Sequence, residues 1–171
     1  MNDATNRPLV DNPKCRLVWE ISALGVSVMR YADAVGRRMG VTGSQWLTLK
    51  AVGFLAEGRG APVRDVAALL NVNGSFISGQ AKCLHERGLL RRSRSLDDRR
   101  VIHLSLTEEG EAQLAHTEAG GRTLEKLLRG DLEDDSMQML TRSLNAMTKR
   151  VGRAVRLADP ADRDDLRPRS R

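Results

Sequence analysis

The chain has 171 residues, and its 28 lysines and arginines outweigh 22 aspartates and glutamates to leave a formal charge of +6. That length supports one compact domain, or one domain with an appended dimerisation base, and the charge favours an anionic partner. No signal-peptide pattern opens the chain and no apolar run is long enough to span a bilayer, while two cysteines without a paired framework, Cys15 and Cys83, fit a reducing cytoplasm.

Residues 1–13 are polar and carry Pro8 and Pro13, which predicts a flexible arm. From Arg16 to about Met39, apolar residues recur at spacings of three and four (Leu17, Ile21, Leu24, Val28, Tyr31, Val35, Met39), the period of a long amphipathic helix. Thr42 and Gln45 then form a capping box that opens a second helix running to about Glu57, and Gly58, Arg59 and Gly60 make the next connection.

Residues 62–90 read as two short helices joined by a tight turn. The first starts at Pro62, a residue suited to the opening helical position, and carries Val63, Val66, Ala67 and Leu70 as one stripe. Asn71 and Val72 form the turn, and either Asn73 or Ser75 caps the second helix, which runs through Phe76, Ile77, Ala81 and Leu84 to Gly88. A charged β-hairpin follows over Ser93 to Gly110, with Ile102, Leu104 and Leu106 alternating against His103 and Ser105. Its tip holds Asp98, Arg99 and Arg100. Thr107 ends the strand and caps another helix, with Glu108 and Glu109 in the first turn. Helix, turn, helix and hairpin together describe a winged helix-turn-helix, whose second helix enters a major groove.

Beyond Thr107 the chain is too long for a small winged domain. Leu114, Leu124 and Leu128 mark one helix, weakened by Gly120 and Gly121, and Met137, Leu140, Leu144, Met147, Val151 and Val155 mark another. With only 3% aromatic residues to build a bulky core, these seams bury apolar area best against a second chain, and an intramolecular helical bundle is the alternative. The acidic run Glu133, Asp134 and Asp135 decorates a helix start.

The segments VRDVAALLNVNGSFISGQAKCLHERGLLRR and DDRRVIHLSLTEEG, with TGSQWLTLKAV upstream, resemble the MarR family of bacterial transcriptional regulators over roughly residues 15–155, most specifically between Arg87 and Gly110. The resemblance implies a mainly α (α+β) fold, a winged helix-turn-helix on a helical dimerisation base. Five segments follow: a flexible arm at 1–13, an N-terminal dimerisation helix at 14–41, the DNA-binding domain at 42–107, C-terminal dimerisation helices at 108–157 and a charged disordered tail at 158–171. It also implies a cytoplasmic, nucleoid-associated homodimeric repressor that binds a palindromic operator and releases it on binding a small molecule. Neither a cofactor nor a membrane partner is expected.

Ser75, Phe76, Ser78, Gln80 and Lys82 fall in the first turns of the reading helix, where side chains meet base edges. Ser75 is either a contact or only a cap, and Phe76 either meets a thymine methyl or joins the core. The Gln80 amide suits bidentate pairing with adenine, and Lys82 suits phosphate. At Gly79 the chain departs from the family pattern, in which many members carry a bulky or basic side chain. The resemblance places Arg100 in the minor groove, with Asp98 orienting it. Arg91, Arg92, Arg94 and Arg99 are backbone contacts or solvated charges.

The same resemblance puts an effector pocket near Trp19, Arg30, Trp46 and Asp65, and an aromatic ring beside an arginine suits an aromatic anion. Cys15 invites comparison with the peroxide-sensing branch of the family, although it falls three residues too early for that alignment, counted back from Gln45. Redox sensing through Cys15 and low-specificity architectural DNA binding are the alternatives. The chain has no phosphate-binding glycine loop, paired-histidine zinc motif or nucleophile elbow, so no enzyme is expected.

Overall fold

In a computed structural model the described residues are 13–56, 60–95, 98–118 and 123–158, with backbone alone at 13–15, 118 and 156–158. Of the expected arm at 1–13 and tail at 158–171, residues 1–12 and 159–171 lie outside them, as do Gly120 and Gly121, whereas residues 13 and 158 belong to the first and last helices. The chain divides into two compact units, Met1–Leu124 and Glu125–Arg171.

The first unit is built around an apolar helix. α1 (Pro13–Arg38) leads through a turn to α2 (Gly43–Leu55), and the sequence-predicted capping box is formed: Thr42 Oγ1 accepts from the Gln45 N–H at 3.2 Å, and Gln45 Oε1 accepts from the Thr42 N–H at 3.0 Å. Trp46, Thr48, Leu49, Ala51 and Val52 of α2 are all buried, covering more than one face, because α1, α3, α4, the sheet and α5 pack around it. The Thr48 hydroxyl is accommodated there by donating to the Ser44 carbonyl at 2.8 Å.

α3 (Val63–Leu70) and α4 (Gly74–Glu86) form the helix-turn-helix. Asn71 closes α3 in the left-handed region at φ 53°, which asparagine tolerates better than most residues. Pro62 departs from expectation. It pairs with His103 as part of a two-residue strand β1 (Ala61–Pro62), so α3 starts one residue later. No periodicity can reveal so short a strand, and the edge position suits a residue lacking an N–H.

β1 flanks β3 (Ile102–Leu106), which also pairs antiparallel with β2 (Leu90–Arg94), giving the order β1–β3–β2. The descending strand therefore begins at Leu90, three residues before the expected Ser93. Leu104 lies at the centre of the sheet, opposite Ala61 on one side and Arg92 on the other, and is fully buried.

α5 (Glu108–Glu118) leaves β3 through Thr107, whose Oγ1 accepts from the Gly110 N–H at 3.0 Å and donates to the Gly88 carbonyl at 2.6 Å. The single helix expected for Leu114, Leu124 and Leu128 is two helices: Leu114 lies on α5, and Leu124 and Leu128 on α6 (Leu124–Arg129). Their apolar spacing carried the expectation across an interruption that periodicity alone does not register. In the second unit α7 (Asp134–Ala158) follows, with Asp134 and Asp135 in its first turn and Arg129 paired to Asp134.

Apolar burial is uneven along α1. Ala32 and Val35 are in the core, whereas Leu17, Val18, Trp19, Ile21, Leu24 and Val26 are exposed. Met139, Leu140, Val151 and Val155 of α7 are exposed as well.

Candidate nucleic-acid interface

α4 presents one face to the core and another to solvent. Ile77, Ala81 and Leu84 are buried, while Ser75, Gly79 and Lys82, at the complementary helical spacing, are exposed. Of the two sequence candidates, Asn73 is the N-cap: its Oδ1 accepts from the Phe76 N–H at 2.7 Å and from the Ser75 hydroxyl at 2.8 Å. Ser75 thus sits inside the first turn. Phe76 is 40% exposed, outside the core. Gln80 is half-buried on the flank, and Lys82 approaches Glu86 at 4.0 Å in an exposed pair of little energetic weight. A Cβ built at Gly79 meets nothing within 4 Å, so packing inside the chain does not require a glycine there.

In the wing, Arg91, Arg92 and Arg94 are exposed on β2, and Arg99 and Arg100 are exposed in the turn before β3. Residues 96–97 lie outside the described residues. The Asp98 carboxylate accepts from the Arg100 backbone N–H at 2.9 Å, and the Asp98 carbonyl accepts from the Val101 N–H at 2.9 Å. Asp98 thus holds Arg100 through its main chain, as an Asx-type turn, and not through an ion pair with its guanidinium. Asp98→Ala is expected to cost DNA affinity with less than about 0.5 kcal/mol of stability, the range for exposed substitutions. Asp98→Asn, which keeps an acceptor oxygen, should retain most of the affinity in a fluorescence-anisotropy titration.

The fold joins these two elements. Ser78 and Gly74 of α4, Arg100, Val101 and Ile102 of the wing, and Val63 and Arg64 of α3 line one cleft of about 350 Å³. Arg64 is absent from the sequence-derived set, because the only local signal is one basic residue in the first turn of α3. It pairs with Asp65 at 3.3 Å, both partly exposed. The cleft sets two arginines beside the first turns of α4, and all its lining residues come from the first unit.

The residues expected to hold an effector are dispersed in character. Trp46 is 3% exposed, packed edge-on against Tyr31 with ring centroids 6.0 Å apart, and its indole N–H has no acceptor among the described residues. Trp19 is 63% exposed and Arg30 is exposed on α1, while Asp65 is engaged by Arg64. None of the four lines the cleft at the reading helix. The Cys15 side chain lies outside the described residues, and Cys83 is a free, exposed thiol on α4. No helix among the described residues is long and apolar enough to cross a membrane.

A family model described as a winged helix DNA-binding domain matches residues 41–110. The HTH-type transcriptional repressor MdtR of Bacillus subtilis is 31% identical over 87 residues, covering 51% of this chain and 54% of that protein. The chain spans about half the length of the curated relatives it matches. Among solved structures, a MarR-family transcriptional regulator from Rhodococcus sp. RHA1 superposes with a TM-score of 0.63 at 22% identity, covering 81% of this chain and 96% of that one. Staphylococcus aureus MepR in its complex with DNA gives 0.65 at 17% identity, covering 82% and 99%. CouR of Rhodococcus jostii RHA1 bound to p-coumaroyl-CoA gives 0.62 at 25% identity, covering 77% and 91%.

Proposed function

We propose that this chain, whose residues 41–110 match a winged helix DNA-binding domain and whose fold is that of the MarR-type structures, acts as a homodimeric repressor of that family on a palindromic operator. The observation that carries the reading is the convergence of Ser78, Arg64 and Arg100 on one cleft beside the solvent-facing stripe of α4. It offers cations for phosphates next to a helix slim enough at Ser75 and Gly79 to enter a groove. The relative named a repressor and the structural neighbour bound to DNA support the same direction.

Surface chemistry supports the dimer. Leu17, Trp19, Ile21 and Leu24 of α1 are exposed on one chain, a run of apolar area that a soluble monomer seldom presents. In the dimer the two reading helices meet successive major grooves about 34–36 Å apart. Release by a small aromatic anion is part of the proposal, supported by the unpartnered Trp46 indole N–H and by the neighbour that binds an aromatic acyl-CoA. Trp19, Arg30, Trp46 and Asp65 remain the residues assigned to that ligand.

The test is competition between DNA from upstream of the protein's own gene and random DNA of equal length at matched salt, with light scattering on the free protein. Preference for the upstream DNA by three or more orders of magnitude, the order seen for specific binders, and a dimer mass are expected. Equal affinity for both DNAs, or a monomer at micromolar concentration, overturns the reading. Gln80→Ala should relax preference at one base pair by about 1–3 kcal/mol while leaving random-DNA affinity unchanged; equal losses on both DNAs would remove Gln80 from base reading.

A further inference from the structure

A second cleft, of about 530 Å³, lies where the end of α1, the α1–α2 turn and the end of α4 meet, lined by Asp33, Arg37, Gly40, Val41, Thr42, Gln45 and Arg87. It shares no residue with the cleft at the reading helix and includes none of the residues assigned above to the aromatic ligand.

Its charges are unbalanced. Arg37, in the last turn of α1, and Arg87, at the C-cap of α4, have no ion-pair or hydrogen-bond partner through their guanidinium groups among the described residues. The one carboxylate in the lining is committed elsewhere: Asp33 Oδ1 accepts from the Gly43 N–H at 2.8 Å, at the start of α2. Asp33 forms no salt bridge with either arginine.

Arg87 also lies close to Gly40. A Cβ on Gly40 would come within 2.8 Å of Arg87 Nη2, so the guanidinium rests against a backbone position that has no side chain. Gly40 adopts φ +67°, where other residues are strained, and this removes the usual route to filling that space. A guanidinium in this position presents a planar fork to an oxyanion.

We propose that this cleft is a binding site for a small organic dianion, a phosphate monoester or a dicarboxylate, bridged by Arg37 and Arg87. Each guanidinium offers a fork to one anionic group, Asp33 leaves the lining with a net positive charge, and the volume exceeds what a bare oxyanion fills, so the ligand carries an organic body with room beside Asp33 for a hydroxyl donor to its carboxylate. Because Arg37 belongs to α1 and Arg87 ends the reading helix, occupancy ties the α1 helix to the DNA-reading element. This regulatory consequence rests on the proposed DNA-binding function, whereas the binding site does not.

Calorimetric titration of the DNA-free full chain with glycerol 3-phosphate and with succinate, at constant ionic strength in chloride, reads the site directly. Saturable binding of one or both probes is expected, weakened by about tenfold or more in Arg37→Gln and in Arg87→Gln, the loss typical of one charge-assisted hydrogen bond. Arg38→Gln, next in sequence and outside the lining, should bind as the parent does, and all three variants should melt with the parent. Heats no greater than chloride produces, or equal weakening by Arg38→Gln, overturn the site. In a parallel operator titration, the bound probe should shift DNA affinity in the parent and not in Arg87→Gln; binding without any shift overturns the coupling while leaving the DNA-binding function standing.

Discussion

Gly110→Ala is expected to destabilise the winged unit by about 1–3 kcal/mol, the range for overpacking a tight site. This is opposite in sign to the usual effect of replacing a helical glycine, where alanine gains roughly 0.5–1 kcal/mol. The reason is local: a Cβ at Gly110 would lie 2.2 Å from the Leu89 carbonyl oxygen. That oxygen accepts from the Thr107 N–H at 3.2 Å, and Thr107 in turn binds Gly88 and Gly110. Four segments meet there: the end of α4, the start of β2, the end of β3 and the start of α5. The obstacle is backbone, so relief requires moving the wing relative to α5. Gly79→Ala is the control, since its Cβ points into open space and should stabilise by the ordinary helical gain. Urea midpoints of the two variants should move in opposite directions, and a Gly110→Ala midpoint at or above the parent's would refute the account.

Arg100→Ala should lower affinity for operator and random DNA alike by about 1.5–3 kcal/mol, the worth of a hydrogen bond to a charged group, and reduce the salt slope by about 1. The Asx-type turn at Asp98 places the Arg100 backbone, and the side chain lines the cleft beside Ser78 and Arg64. A charge in that position neutralises phosphate or groove potential, and both are nearly independent of sequence. Stability should hold within about 0.5 kcal/mol, because Arg100 is exposed. Anisotropy titrations from low to high salt on both DNAs provide the measurement. A loss confined to the operator, with an unchanged slope, would make Arg100 a base-reading residue and would falsify the backbone assignment.

Much of the winged helix unit was legible before any coordinates. The capping box at Thr42, a cap at Asn73 or Ser75, the stop at Gly88 and the Thr107 junction are each read from a few adjacent residues, and each is formed, with the structure choosing Asn73 as the cap. The alternation of Ile102, Leu104 and Leu106 marked β3 correctly, although only Leu104 is fully buried. The misses have a common form. β1 is two residues long, too short for any period, and the break between α5 and α6 falls inside an apolar spacing that continues across it. Trp19 and Trp46 read alike in the sequence, yet one is largely exposed and the other is core.

What the sequence determined by itself is therefore the local grammar of a winged helix: caps, turn, stop and hairpin, whose hydrogen bonds close within a few residues and need no distant partner. Tertiary structure alone decided which half of the α1 stripe is buried, how Arg64 joins Ser78 and Arg100, and that Arg87 reaches across to Gly40. Amphipathic periodicity states that a face will be covered but not by what. Residues 47 positions apart, such as Gly40 and Arg87, meet because α1 and α4 both pack against α2, a long-range outcome that no local signal encodes.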